Sequence, residues 1–112
     1  MMRKYFLPVL VVAITAQAQT SVLFIGNSYT YVNDLPGMLG QIALSLGDTV
    51  TVGSSAPGGY TLFQHSTHGP TLTAIQSRSW DFVVMQEQSQ LGALPPEVTT
   101  TELGAVSLME DI

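Results

Sequence analysis

The 112-residue chain contains no cysteine, and cations are almost as scarce: Arg3, Lys4 and Arg78 are the full set. The first absence excludes a disulfide scaffold, a thiolate zinc site, a cysteine nucleophile and a lipid-anchored cysteine. The second argues against nucleic acid as a partner, because phosphate binding depends on clustered Lys and Arg, and it disfavours anionic membrane surfaces for the same reason. Charged residues of both signs make up 10% of the chain and hydrophobic ones 46%, with a mean hydropathy of +0.31. That composition argues against disorder, and the length allows one small domain at most.

Two of the three cations open the chain. Met1-Met2-Arg3-Lys4 is a short basic start, the run Tyr5 to Ile14 is apolar, and Ala16-Gln17-Ala18 has the small-x-small form of a signal-peptidase site. Residues 1–18 therefore read as a secretory signal peptide, with a mature chain starting at Gln19 that is secreted or periplasmic. A membrane anchor needs about 20 apolar residues, so no stable membrane insertion is expected once the leader is removed. The mature segment keeps Arg78 as its sole cation against eight acids, a net charge of −7.

Ser21-Val22-Leu23-Phe24-Ile25 is a continuous apolar run that stops at Gly26-Asn27-Ser28. It predicts a buried parallel strand ending in a polar turn. From Asp34 the period changes: Leu35, Met38, Leu39, Ile42, Ala43 and Leu46 fall on one face of a helix. Asn33 or Asp34 can cap its start, Pro36 suits its first turn and Gly47 suits a left-handed stop. Thr49-Val50-Thr51-Val52 predicts a second strand near a sheet edge, and the small, Gly- and Pro-containing stretch Gly53 to Gly59 predicts a loop. Leu62 and Phe63 begin another apolar patch, and Leu72, Ala74 and Ile75 form a weak helical face after Pro70. Ser77 to Ser79 predict a turn before a third strand, Trp80 to Met85, buried on both faces and delivering Gln86-Glu87-Gln88-Ser89 at its end. Pro95-Pro96-Glu97 then opens a helix in which Leu103, Val106 and Met109 recur.

Alternating strands and helices imply an α/β fold with a parallel sheet covered on both faces. Three strands are few for such a sheet, and the last helix has no stop signal after Met109. Residues 19–112 are therefore expected to be the amino-terminal part of a longer domain.

Reactive crevices in open α/β sheets lie outside the carboxyl ends of the strands. Three polar clusters are delivered there: Gly26-Asn27-Ser28, Ala56-Pro57-Gly58-Gly59 and Gln86-Glu87-Gln88-Ser89. A serine just past a strand can serve as a nucleophile, because a sharp turn exposes its hydroxyl while backbone N–H groups face the same space. The pattern is not the G-x-S-x-G elbow, since Thr30 stands at the second glycine position. There is no Gly-x-Gly-x-x-Gly and no Walker-type motif, which makes a nucleotide or flavin cofactor a weaker reading.

The block Val22-Leu23-Phe24-Ile25-Gly26-Asn27-Ser28-Tyr29-Thr30 resembles the first block of the SGNH (GDSL-like) hydrolases, with Gly-Asn-Ser in place of the usual Gly-Asp-Ser. The similarity continues through Asn33-Asp34-Leu35-Pro36, Gly58-Gly59-Tyr60-Thr61-Leu62, His65 and Trp80 to Ser89, and covers most of the mature segment. It implies a flavodoxin-like three-layer α/β/α sandwich, truncated here after about three strands. The activity it implies is serine-dependent cleavage of acyl or acetyl esters, often on carbohydrates or lipids, without cofactor or metal. Ser28 matches the nucleophile and first oxyanion donor, Gly59 the second donor with Gly58 as the alternative, and Gln88 takes the place of the family's Asn as the third. Which of Gln88 and Gln86 donates is open at this point. Glu87 reads as a solvated or structural acid.

The family's Asp-x-x-His is absent from this chain and is expected beyond Ile112. His65 and His68 read as loop-packing or surface histidines. Their i, i+3 spacing could place both on one face as metal ligands, but no third ligand suggests itself. The competing class of function is a non-catalytic carbohydrate-binding or interaction module on the same fold.

Overall fold

A computed structural model of the protein describes residues 3–13, 19–95 and 112. The cleavage motif at 16–18 and the helix expected after Pro95 lie outside the described residues. Residues 3–13 form neither helix nor strand and are exposed, and among the described residues no helix is long and apolar enough to cross a membrane.

The fold is α/β, built on a three-stranded parallel sheet. Strand β1 (Thr20–Ile25) is central and pairs with β2 (Val50–Ser55) on one side and β3 (Phe82–Met85) on the other, in the order β2-β1-β3. A short helix α1 (Ser28–Tyr31) and a longer one, α2 (Leu35–Ser45), connect β1 to β2. Helices α3 (Leu62–His65) and α4 (Gly69–Gln76) connect β2 to β3, and a single 3-10 turn (Leu91–Ala93) follows. The chain steps outward from β1 to β2 and then back past β1 to β3. Two crossovers of one hand must then place their helices on opposite faces. Accordingly, Leu23 and Ile25 pack with Leu62 and Ile75 from α3 and α4, joined by Val83, Met85 and Trp80, whereas Leu39, Ile42 and Ala43 of α2 face Thr20 and Val50 on the other side.

The caps expected for α2 are in place. Asp34 is the N-cap, with its Oδ1 accepting from Gly37 N–H at 3.2 Å, Pro36 sits in the first turn, and Gly47 takes φ +84° just past the end. Asp81 fastens the start of β3 to the start of β1: its carboxylate accepts from the N–H of Ser21 at 2.7 Å and from its hydroxyl at 3.0 Å. Those two bonds hold the Asp81 carboxyl below the usual carboxylate range.

Two expectations need correction. Strand β2 continues through Gly53, Ser54 and Ser55, because these residues pair with Leu23, Phe24 and Ile25. Gly53 is there for space: a Cβ at that position would lie 2.6 Å from the Trp80 ring. Strand β3 is not buried on both faces, since Phe82 is 62% exposed and Val84 is exposed beside it. Alternation puts these two on the α2 side, next to Val22 and Phe24, and α2 packs mainly against β2, the strand on the far side of β1 from β3. The apolar stripe of α2 is likewise mostly uncovered by the described residues, with Ala43 buried but Leu35, Met38, Ile42 and Leu46 exposed.

Candidate active site

The strand ends bring the three polar clusters to one edge of the sheet. Gly26 leaves β1 with its N–H donating to Ser55 O at 3.1 Å, and it has no room for a side chain. A Cβ there would collide with Thr30 Oγ1 and lie 2.6 Å from Gln86 Oε1. Asn27 is buried and caps α1, its Oδ1 accepting from Tyr29 N–H at 3.2 Å while its Nδ2 donates to Tyr60 O at 3.0 Å. Ser28 follows as the first residue of α1, half-buried, and neither its hydroxyl nor its N–H has a hydrogen-bond partner among the described residues. It opens on a shallow pocket of about 270 Å³ lined by Ser28, Tyr29, Val32 and Asn33. A larger cavity of about 560 Å³ lies at the amino ends of β1 and β2, away from these loops, lined by α2 and residues such as Gln19 and Asp48.

The second loop turns at Pro57 to Tyr60, with Tyr60 N–H donating to Pro57 O at 3.3 Å. Gly59 is the third residue of that turn at φ +71°, a conformation that disfavours any residue with a Cβ. Its N–H donates to no described residue. Gly58 does not have a positive φ, and a Cβ there would meet Tyr31 Oη at 3.4 Å.

The two glutamines of the third loop do different work. Gln86 is engaged at both amide atoms: its Oε1 accepts from Asn27 N–H at 3.1 Å and Thr30 Oγ1 at 2.9 Å, and its Nε2 donates to Glu87 O at 2.6 Å. Gln88 accepts from Gln90 N–H through Oε1 at 2.6 Å, which leaves its Nε2 donors unused among the described residues. Glu87 is a half-buried structural acid, with Oε1 accepting from the N–H groups of Leu62 at 3.0 Å and Gln88 at 2.7 Å.

His65 is fully buried behind Gly26. Its Nε2 is 2.7 Å from Gly26 O, an atom that can only accept, so Nε2 carries the proton. Nδ1 then accepts from the Thr71 hydroxyl at 2.6 Å, and Thr71 in turn accepts from Ser55 at 2.8 Å. Burial lowers the pKa of His65 most, with the neighbouring His68 adding to it, against the Gly26 carbonyl and Glu87. A neutral imidazole with both nitrogens occupied has no lone pair for the Ser28 proton. His65 is therefore a packing histidine that locks the ends of β1 and β2. His68 packs edge-on against Tyr60, with Nδ1 3.5 Å from its hydroxyl. No group of three His, Cys, Asp or Glu among the described residues could hold a metal ion.

Sequence reasoning missed α1 and the roles of Asn27, Thr30, Gln86, Ser55 and Thr71 as loop anchors. Asn27 alone carried a usable signal, since an Asn after a strand is a good helix cap. Compared with known proteins, the chain matches no protein-family model, no curated protein and no solved structure.

Proposed function

We propose that the chain carries the nucleophile half of an exported serine ester hydrolase of SGNH type. One observation carries this reading. Asn27, Thr30, His65, Gln86 and Glu87 use polar atoms to hold loops, whereas the Ser28 hydroxyl, the Ser28 and Gly59 N–H groups and the Gln88 amide donors have no partner among the described residues and lie along the same sheet edge. A nucleophile beside unused donors is what acyl transfer requires, since the tetrahedral oxyanion must be met by fixed N–H groups. The order β2-β1-β3 is also the one with which flavodoxin-like sheets begin, consistent with a three-layer sandwich in the complete domain.

In this mechanism Ser28 Oγ attacks the ester carbonyl while a general base takes its proton. The oxyanion is held by the Ser28 N–H, the Gly59 N–H and the Gln88 Nε2. Collapse expels the alcohol, which recovers the proton from the base, and water then hydrolyses the acyl-enzyme by the same steps. His65 is not that base, because its two ring nitrogens are committed to Gly26 and Thr71, and the Asp-x-x-His pair that the resemblance implies does not occur in residues 1–112. The pocket beside Ser28, lined by Tyr29, Val32 and Asn33, would receive part of the ester, and the exposed Tyr29 and Tyr31 rings lie beside it on α1 to meet a carbohydrate or lipid portion.

The test is hydrolysis of p-nitrophenyl acetate by the full-length protein and its Ser28→Ala variant. Turnover should fall to background in the variant. Equal turnover in the two proteins would sink the assignment.

A further inference from the structure

Backbone bonds tie the first residues of two of the three loops at the sheet edge to neighbouring strand ends, Gly26 N–H to Ser55 O at 3.1 Å and Gln86 N–H to Ile25 O at 2.8 Å, but among the described residues none runs from loop to loop. Side chains join them. Asn27 ties the Ser28 turn to Tyr60, and Gln86 ties the third loop back to Asn27 and Thr30. The remaining link, between the Gly59 turn and the third loop, is the Glu87 carboxylate alone among the described residues, shared between Leu62 N–H and Gln88 N–H. Its second oxygen, Oε2, is buried without a hydrogen-bond partner among the described residues. A carboxylate held in that state loses hydration, so the two N–H bonds of Oε1 are what keep it in place.

We propose that Glu87 is a positioning residue that sets the distance between the Gly59 turn and the Gln88 amide, the two outer donors of the oxyanion site. The proposal rests on the hydrolase reading above. Leu62 lies three residues after Gly59 and Gln88 immediately follows Glu87, so one oxygen fixes both donors relative to each other. Donors of this kind act on charge that develops in the transition state, and displacement by about 1 Å can cost ~10²-fold in rate. Loss of the link should therefore appear in kcat and leave KM nearly unchanged.

The experiment measures p-nitrophenyl acetate kinetics on the full-length protein, with active sites counted by fluorophosphonate labelling so that misfolded molecules do not contribute. Glu87→Gln keeps an oxygen acceptor at the same reach and should stay within about fivefold of wild type. Glu87→Asp, one methylene shorter, reaches only one of the two N–H groups, and Glu87→Ala reaches neither. Both should lower kcat per labelled site by about 10–100-fold with KM within about twofold. Gln88→Ala should lower kcat by itself, and adding Glu87→Asp to it should cost less than Glu87→Asp costs alone. Wild-type kcat per site in Glu87→Asp, or strict additivity with Gln88→Ala, would overturn the positioning role while leaving the hydrolase reading intact. Absence of Ser28-dependent turnover in the wild type would overturn both.

Discussion

His65 sits at zero exposure between a backbone carbonyl and a hydroxyl chain, and acid must work against that burial to protonate it. Protonation would turn Nδ1 into a donor and force the Thr71 hydroxyl to reverse towards Ser55. The folded pKa lies below the ordinary value of 6.5, so the unfolded chain binds more protons as pH falls through that range. The stability due to neutral His65 is thus complete above about pH 6.5 and is lost as pH drops through the lower, folded pKa. Urea midpoints measured from pH 8 to pH 5 should decline below about 6.5, and His65→Gln should flatten that decline while lowering stability by about 1–3 kcal/mol. An unchanged pH slope in His65→Gln would contradict this. The sequence left His65 as a loop-packing or surface histidine, and its partners Thr71 and Ser55 were invisible, because a hydroxyl in a strand or helix carries no pattern that announces a distant contact.

At the level of elements, strand β1, the caps of α2 and the approximate place of β3 were legible, because apolar runs and caps are local signals. Strand β2 was cut short because Gly53, Ser54 and Ser55 resemble a loop when read alone. Their strand conformation comes from pairing with Leu23, Phe24 and Ile25, and Gly53 is required by a side chain 27 residues away. Gly53→Ala should therefore destabilise the fold by about 1–3 kcal/mol through overpacking against Trp80. Trp80 is the only tryptophan, so its fluorescence reads the disturbance directly. An unaltered emission spectrum and unaltered Tm in the variant would count against the packing described. The stripe of α2 was legible as an apolar face, but its exposure was not: periodicity shows which face is hydrophobic, not whether an element covers it.

Across the whole molecule, the α/β class and the parallel sheet followed from the alternation of periods, and the sheet order brings Ser28, Gly59 and Gln88 to one edge from three separate stretches of chain. Their separate places at strand ends were legible in the sequence. What was not legible is the division of labour between Gln86 and Gln88, which depends on Gln86 reaching Asn27 and Thr30 across the sheet. The same edge explains why Gly26 tolerates no side chain, since the loop anchors crowd against the turn that presents Ser28. The central claim is the proposal that Ser28 is a nucleophile. Incubating the full-length protein with a fluorophosphonate and mapping the adduct by peptide mass spectrometry tests it most directly. The account predicts one stoichiometric adduct, on Ser28, with none in Ser28→Ala. An unlabelled Ser28, or a labelled serine elsewhere with Ser28 untouched, would contradict it.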